Sequence, residues 1–125
     1  KQCGLQVSGI TPGDKYPFQD NSFDFVILDN VLEHIEDPRH DLKEIHRVLK
    51  PGGTVIIGVP GKKGFAHDAD HKVYYDEASL TKLLATHHFV FDHGMYTPLP
   101  FLFLSEKISQ FCFYGFYKKQ EALRL

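Results

Sequence analysis

Apolar residues along this chain fall into short runs and stripes set apart by polar corners. Leu5–Ile10 (LQVSGI) alternates apolar and polar positions, and Thr11-Pro12-Gly13-Asp14 closes it, which predicts a strand followed by a turn. Gln19-Asp20-Asn21-Ser22 is a second turn. Phe23–Leu28 (FDFVIL) then ends in three consecutive aliphatics, the pattern of a parallel strand covered on both faces. A short helical segment is expected over Val31–Ile35, and a longer helix after Asp37-Pro38, with Asp37 as cap and Pro38 at the first helical position. Leu42, Ile45, Val48 and Leu49 share one face of that helix, while Lys43, Glu44 and Arg47 lie off it. Pro51-Gly52-Gly53 stops the helix, and Thr54–Val59 (TVIIGV) is a β-branched strand. Strand, helix and strand of these lengths make a βαβ unit.

Gly61–Val73 reads as a polar loop, long enough to carry function. Asp76 caps a further helix with Leu80, Leu83 and Leu84 as its apolar stripe. Phe89–Tyr96 and Phe111–Tyr117 are two final strands, joined by a long apolar connection over Thr97–Gln110. Pro98–Tyr117 is the most apolar stretch, but Pro100, Glu106, Lys107 and Gly115 interrupt it, so it falls short of a bilayer span. It is expected to be a buried strand with a lid-like segment, and no transmembrane segment is predicted.

The 125 residues bound the chain to a single domain, 1–125, and 42% hydrophobic with 24% charged residues is the balance of a folded soluble protein. A net charge of −2, with basic residues scattered, argues against nucleic-acid binding. Cys3 and Cys112 form neither a disulfide framework nor a zinc spacing, and with no leader-like segment they fit a reducing cytoplasm. The chain opens on Lys1 rather than Met, as expected of a trimmed or partial sequence.

Several ordered motifs now stand out. Pro17-Phe18-Gln19-Asp20-Asn21-Ser22-Phe23-Asp24 precedes Leu32-Glu33-His34, then Arg47-Val48-Leu49-Lys50-Pro51-Gly52-Gly53. Asp70-His71, Tyr74-Tyr75 and the helix over 76–86 follow. In order and spacing, residues 5 to 96 resemble the class I S-adenosylmethionine-dependent methyltransferases of the type 11 kind. The resemblance implies an incomplete Rossmann-like α/β fold, a mostly parallel sheet with a final antiparallel strand, lacking its first βαβ unit. Most of these motif residues also have a plain structural reading: Phe18 and Phe23 as core aromatics, LKPGG as a helix stop, Glu33-His34 as the solvated or hydrogen-bonded side of a short helix.

The functional exception is the corner after the first apolar strand, because open α/β sheets bind ligands beyond the carboxyl ends of their strands. The resemblance implies that Leu28, Asp29 and Asn30 lie along the methionine part of S-adenosylmethionine. It also makes Asp14 the candidate partner of the adenine, if Leu5–Ile10 is the family's third strand; the same segment is open to being its second. His34 is a candidate general base in methyl transfer, or equally a helix-capping residue. His71, Tyr74 and Tyr75 are candidate substrate residues. His67-Asp68-Ala69-Asp70-His71 gathers two imidazoles and two carboxylates, but its spacing fits no established ligand set, and no metal site is assigned.

The departure from the family lies upstream. Only fifteen residues precede Tyr16, leaving no room for the glycine-rich turn and acidic residue that hold the cofactor. No glycine cluster in the chain opens a helix as a dinucleotide fingerprint does. The expectation is therefore a parent enzyme that methylates a small-molecule acceptor, with weak cofactor binding by this chain alone. The alternative is a non-catalytic module serving dimerisation or partner binding. A nicotinamide-dependent oxidoreductase shares the architecture but has no motif behind it. Without the family's first strands, Phe25–Leu28 becomes a sheet edge, expected to be covered by homodimerisation, by strand exchange, or by Leu5–Ile10 moving into the gap.

Overall fold

The computed structural model describes residues 4–98, 107–108 and 110–121. Four strands form one sheet: β1 (Phe23–Asp29), β2 (Leu49–Pro60), β3 (Phe89–Thr97) and β4 (Cys112–Lys119), in the spatial order β1-β2-β4-β3. β1 and β2 run parallel, and β4 is antiparallel to both of its neighbours, β2 and β3. A 3₁₀ turn (Leu32–His34) and helix α1 (Arg39–Val48) connect β1 to β2. A short helix α2 (Lys62–Ala66) and helix α3 (Glu77–Thr86) lie between β2 and β3. This is an incomplete Rossmann-like α/β arrangement with one antiparallel strand, as the sequence led one to expect.

The predicted stripe on α1 is the one that packs. Leu42, Ile45 and Val48 of α1 are buried, and Leu49, predicted on the same helix face, is instead buried as the first residue of β2. Pro38 occupies the position before α1 rather than its first turn, and the Asp37 carboxylate accepts from the Arg39 amide at 3.2 Å. At the other end, the turn that precedes β1 closes onto the helix: the Asn21 and Ser22 amides donate to the Arg47 and Val48 carbonyls at 2.9 and 2.8 Å. Arg47 fixes this join. Its guanidinium donates to the Phe18 and Tyr16 carbonyls and to the carboxylates of Asp20 and Glu44. Two motifs that are remote in sequence thus hold each other, and bring the start of β1 beside the start of β2. Gly52, at φ +77°, lies in the irregularity of the β1–β2 pairing between Leu49 and Thr54.

One face of the sheet carries the core. Val26 and Leu28 of β1 line up with Val55 and Ile57 of β2, and with Leu42 and Ile45 of α1 and Leu80 and Leu84 of α3 they form one cluster. α3 starts from a reciprocal cap: the Ser79 amide donates to the Asp76 carboxylate at 2.8 Å, and the Asp76 amide donates to Ser79 Oγ at 3.0 Å.

Three expectations need correcting. β1 is covered on one face only: Phe25 and Ile27, on the opposite side, are 62% and 65% exposed. α1 and α3 both contribute to the same cluster, so neither screens the second face. Leu5–Ile10 is no strand either; it is irregular, joins no sheet, and leaves Val7 78% exposed. Its alternation fits a half-buried strand, but no described strand takes it as a neighbour, so it does not fill the gap beside β1. Gly61–Val73, read as a loop, contains α2. The Thr97–Gln110 connection lies largely outside the described residues, as does Cys3.

Candidate active-site corner

The carboxyl ends of β1 and β2 meet at Asp29 and Gly58, which are register partners. Tyr114 of β4 pairs with Gly58 on its other side, so Asp29, Gly58 and Tyr114 form one row across three strands. Because Gly58 has no side chain, the Tyr114 ring reaches over it, and its hydroxyl donates to Asp29 Oδ1 at 2.8 Å. A Cβ at Gly58 would collide with that ring and lie 3.1 Å from Asp29 Oδ1. Burial and the Asp29 hydrogen bond push the Tyr114 phenol up to about 12. The row lies on the open face of the sheet, the same side as Phe25 and Ile27.

Asn30 follows at φ +57°, a left-handed backbone that asparagine tolerates better than most residues. Its amide donates to the Gly58 carbonyl at 3.0 Å, and its side-chain Nδ2 donates to Asp29 Oδ1 at 3.1 Å. Asp29 and Asn30 are thus held by strand ends while their polar side chains stay exposed. The Cys112 thiol, pushed up by burial, sits 4.0 Å from Asn30 Oδ1.

The 3₁₀ turn after this corner carries Glu33 and His34. Loop 67–75 is lashed to it by two backbone bonds: the Lys72 and Val73 amides donate to the Glu33 carbonyl at 2.7 and 3.1 Å. The lashing brings the His34 and His71 rings to 4.7 Å between centroids. His34 Nδ1 lies 3.0 Å from Asp70 Oδ2, and His71 Nδ1 lies 2.9 Å from the Phe65 carbonyl. The Asp70 carboxyl is held below its ordinary range, chiefly by the His34 contact.

The sequence-predicted residues divide into groups. Asp29 and Asn30 stand together at the strand ends, and His34 and His71 stand together beside the 3₁₀ turn. Leu28 is buried in the core cluster, so its side chain is structural and only its backbone continues to the corner. Asp14 lies on the exposed turn after Thr11, its carbonyl 2.8 Å from His40 Nε2 at the first turn of α1. Tyr74 packs edge-on against Phe65 at 5.6 Å. Tyr75 belongs to the core cluster, burial pushes its phenol up, and it lines a small cavity of about 40 Å³ with Pro60, Tyr96 and Phe113.

Sequence reasoning missed Glu33, Asp70, Gly58 and Tyr114 as members of this region. Glu33, expected on a solvated or hydrogen-bonded side, is instead completely buried. Neither of its carboxylate oxygens has a hydrogen-bond partner among the described residues, and burial raises its pKa. No periodicity signals this, because the three-residue turn is too short to show a face. Gly58 inside an aliphatic strand was the available signal for a close approach at the corner.

An open sheet with its polar corner at the carboxyl ends of parallel strands, followed by strands in the order seen here, defines a class I methyltransferase fold. A family model described as "Methyltransferase domain" matches residues 6–57, and the chain is similar to part of a class I methyltransferase domain. It is 35% identical over 87 residues to an uncharacterized protein of Methanocaldococcus jannaschii, covering 70% of this chain and 40% of that one. It is 45% identical over 58 residues to a demethylmenaquinone methyltransferase of Staphylococcus epidermidis, covering 45% of this chain and 24% of the relative. Among solved structures, a Burkholderia thailandensis 1,6-didemethyltoxoflavin-N1-methyltransferase with bound S-adenosylhomocysteine superposes with a TM-score of 0.61 at 21% identity. That match covers 86% of this chain and 48% of the other. The chain therefore spans less than half the length of each of these proteins. S-Adenosylmethionine is the cofactor that the family implies.

Proposed function

We propose that the domain to which this chain contributes binds S-adenosylmethionine at the Asp29–Asn30 corner and transfers its methyl group to a small-molecule acceptor. The observation that carries this reading is the row Asp29–Gly58–Tyr114. It fixes an exposed carboxylate at a carboxyl strand end, where a donor-rich ligand group is met. Asp29 would accept from the cofactor's ammonium, and Asn30 offers both a donor and an acceptor beside it. The bound cofactor would supply the electrophilic methyl. The protein's part is then to hold the acceptor in line, since rate in such a transfer comes mainly from proximity and orientation. His34, with its Nδ1 on Asp70, is oriented as a candidate proton acceptor. His71, whose ring packs beside that of His34, and Tyr74 of the same loop are the residues we assign to the acceptor side.

In this chain the corner provides only part of the contacts a cofactor needs, and we infer that the chain alone binds weakly. Isothermal titration calorimetry with S-adenosylmethionine tests both statements. Affinity weaker than about 100 µM for the 125-residue chain is expected on losing roughly half of the contacts. A chain extended upstream by a strand and a glycine-rich turn should bind tightly, and Asp29→Ala should abolish most of that gain. Unchanged binding in the Asp29→Ala form would sink the assignment of the corner.

A second reading is favoured by Phe25 and Ile27, exposed on a strand that has a single neighbour among the described residues. An unpaired apolar edge is a template for another strand. In this reading β1 pairs with a second copy of the chain, giving a homodimer or strand-exchanged oligomer, and the module acts without catalysis.

A further inference from the structure

We propose that Glu33, His34 and His71 form a site for one divalent transition-metal ion, with zinc the best-fitting member. The proposal does not depend on methyl transfer, and with the ion bound His34 Nε2 is a ligand and no longer a proton acceptor.

Glu33 is the starting point. Its side chain has no solvent exposure, and both carboxylate oxygens lack a hydrogen-bond partner among the described residues. A buried carboxylate in that condition is costly unless something positive meets it. Two imidazoles face it: His34 Nε2 and His71 Nε2 each lie 3.8 Å from Glu33 Oε2. One ligand atom from each of the three residues falls within a 4.8 Å sphere of mutual distances.

The far sides of the two rings fix their tautomers. His34 Nδ1 meets the Asp70 carboxylate and His71 Nδ1 meets the Phe65 carbonyl. Both partners are acceptors, so each Nδ1 carries a hydrogen, and in the neutral ring each Nε2 turns a lone pair toward Glu33. Two lone pairs and a carboxylate converging on one point repel each other until a cation or a proton stands between them. A carboxylate or carbonyl behind each imidazole is also the outer arrangement that orients metal-binding histidines. Phe65 stacks on the His71 ring at 5.2 Å and holds its plane.

Two histidines and a carboxylate suit zinc, with bonds of about 2.0–2.2 Å. A tetrahedral set of such bonds has edges of about 3.3 Å, so the 3.8 Å spacings close by roughly 0.5 Å on binding. Asp68 Oδ2, 3.6 Å from His71 Nε2, is placed to approach as a fourth ligand. The half-exposed His34 ring leaves a coordination position open to solvent or to a bound molecule. The acidic, histidine-rich run at 67–71 thus contributes through His71, with Asp68 and Asp70 in supporting roles, and the missing ligands come from the 3₁₀ turn. The rival occupant of the gap is a proton on Glu33.

The test uses the chelator-treated 125-residue chain, titrated with Zn²⁺ by calorimetry and with Co²⁺ by visible absorption. Expected are one metal per chain, a cobalt spectrum of low-symmetry nitrogen and oxygen coordination, and a rise in melting temperature with Zn²⁺. His34→Ala and Glu33→Gln should each weaken binding by tenfold or more. Asp70→Asn, which touches no metal, should weaken it by about tenfold while circular dichroism stays unchanged. His93→Ala, remote from the cluster, should leave binding as it was. Absence of saturable one-to-one binding would overturn the site, as would binding unaffected by His34→Ala and Asp70→Asn. So would a Glu33→Gln form that is more stable while Zn²⁺ leaves the parent chain's melting unmoved, because a proton would then be the occupant.

Discussion

The Tyr114 hydroxyl donates to Asp29 Oδ1 at 2.8 Å, across a glycine on the strand between them. The bond joins residues 85 positions apart and ties β4 to the carboxyl end of β1. Tyr114→Phe removes the donor while keeping the ring. It should lower stability by about 1 kcal/mol, read from urea denaturation. Gly58→Ala should cost more, about 1–3 kcal/mol, since the new Cβ must push the ring off its path. If Gly58→Ala proves neutral while Tyr114→Phe is not, the ring does not lie over residue 58.

Glu44 gives the chain an acid-sensitive joint. Its Oε1 accepts from the Tyr16 amide at 2.7 Å and from Arg47 at 2.9 Å, and its Oε2 accepts from Arg47 Nε at 3.0 Å. The Arg47 hydrogen bonds, foremost, bring its pKa down from 4.5 to about 2. The folded value is the lower one, so the contribution is complete above pH 4.5 and is lost as pH falls through about 2. Glu44→Gln should cost about 1–3 kcal/mol at neutral pH and flatten the decline in stability over that window. Urea midpoints measured at a series of pH values show both effects, and a parallel acid limb in the variant would contradict the assignment.

The exposed edge of β1 should govern association. Sedimentation equilibrium is expected to show a concentration-dependent dimer. Ile27→Lys, which places a charge on an already exposed position, should shift it to monomer without loss of helical signal. A monodisperse monomer across the concentration range, with fast exchange of the Phe25–Leu28 amides, would remove the dimer reading.

Asp76 tests how far local capping sets α3. Asp76→Ala removes the acceptor of the Ser79 amide and should cost about 1 kcal/mol. Asp76→Asn should recover most of that. Thermal melts of the three forms decide it.

The local elements were legible wherever a pattern repeats often enough to be read. Leu42, Ile45 and Val48 announced the face of α1, Asp76 announced the start of α3, and the aliphatic runs announced β1 and β2. Misreadings came where the decision lies elsewhere in the molecule. Leu5–Ile10 has a strand's alternation but no neighbour to pair with, and alternation alone does not satisfy backbone donors and acceptors. Phe23–Leu28 has the apolar run of a doubly covered strand, yet the two long helices pack on one face. α2, over five residues, is too short to show a period.

At the site the same division holds. Asp29 and Asn30 were singled out because a strand end is a local feature with a general meaning in α/β sheets. Glu33 was misplaced because three residues of 3₁₀ turn do not tell which side chain is inside. His34 and His71 were each noticed, but nothing in the sequence joins them.

By itself the sequence determined α1, α3 and the four strands of the sheet, their order and the family they resemble, because helix and strand periods and their caps are written within a few residues. Tertiary structure alone decided that Tyr114 reaches Asp29 over Gly58, that one face of β1 is bare, and that a buried carboxylate faces two imidazoles. Each of these depends on strand register and on a loop tied back across 36 to 85 residues. Such long-range pairings are fixed by the packing of the whole core and by no local pattern.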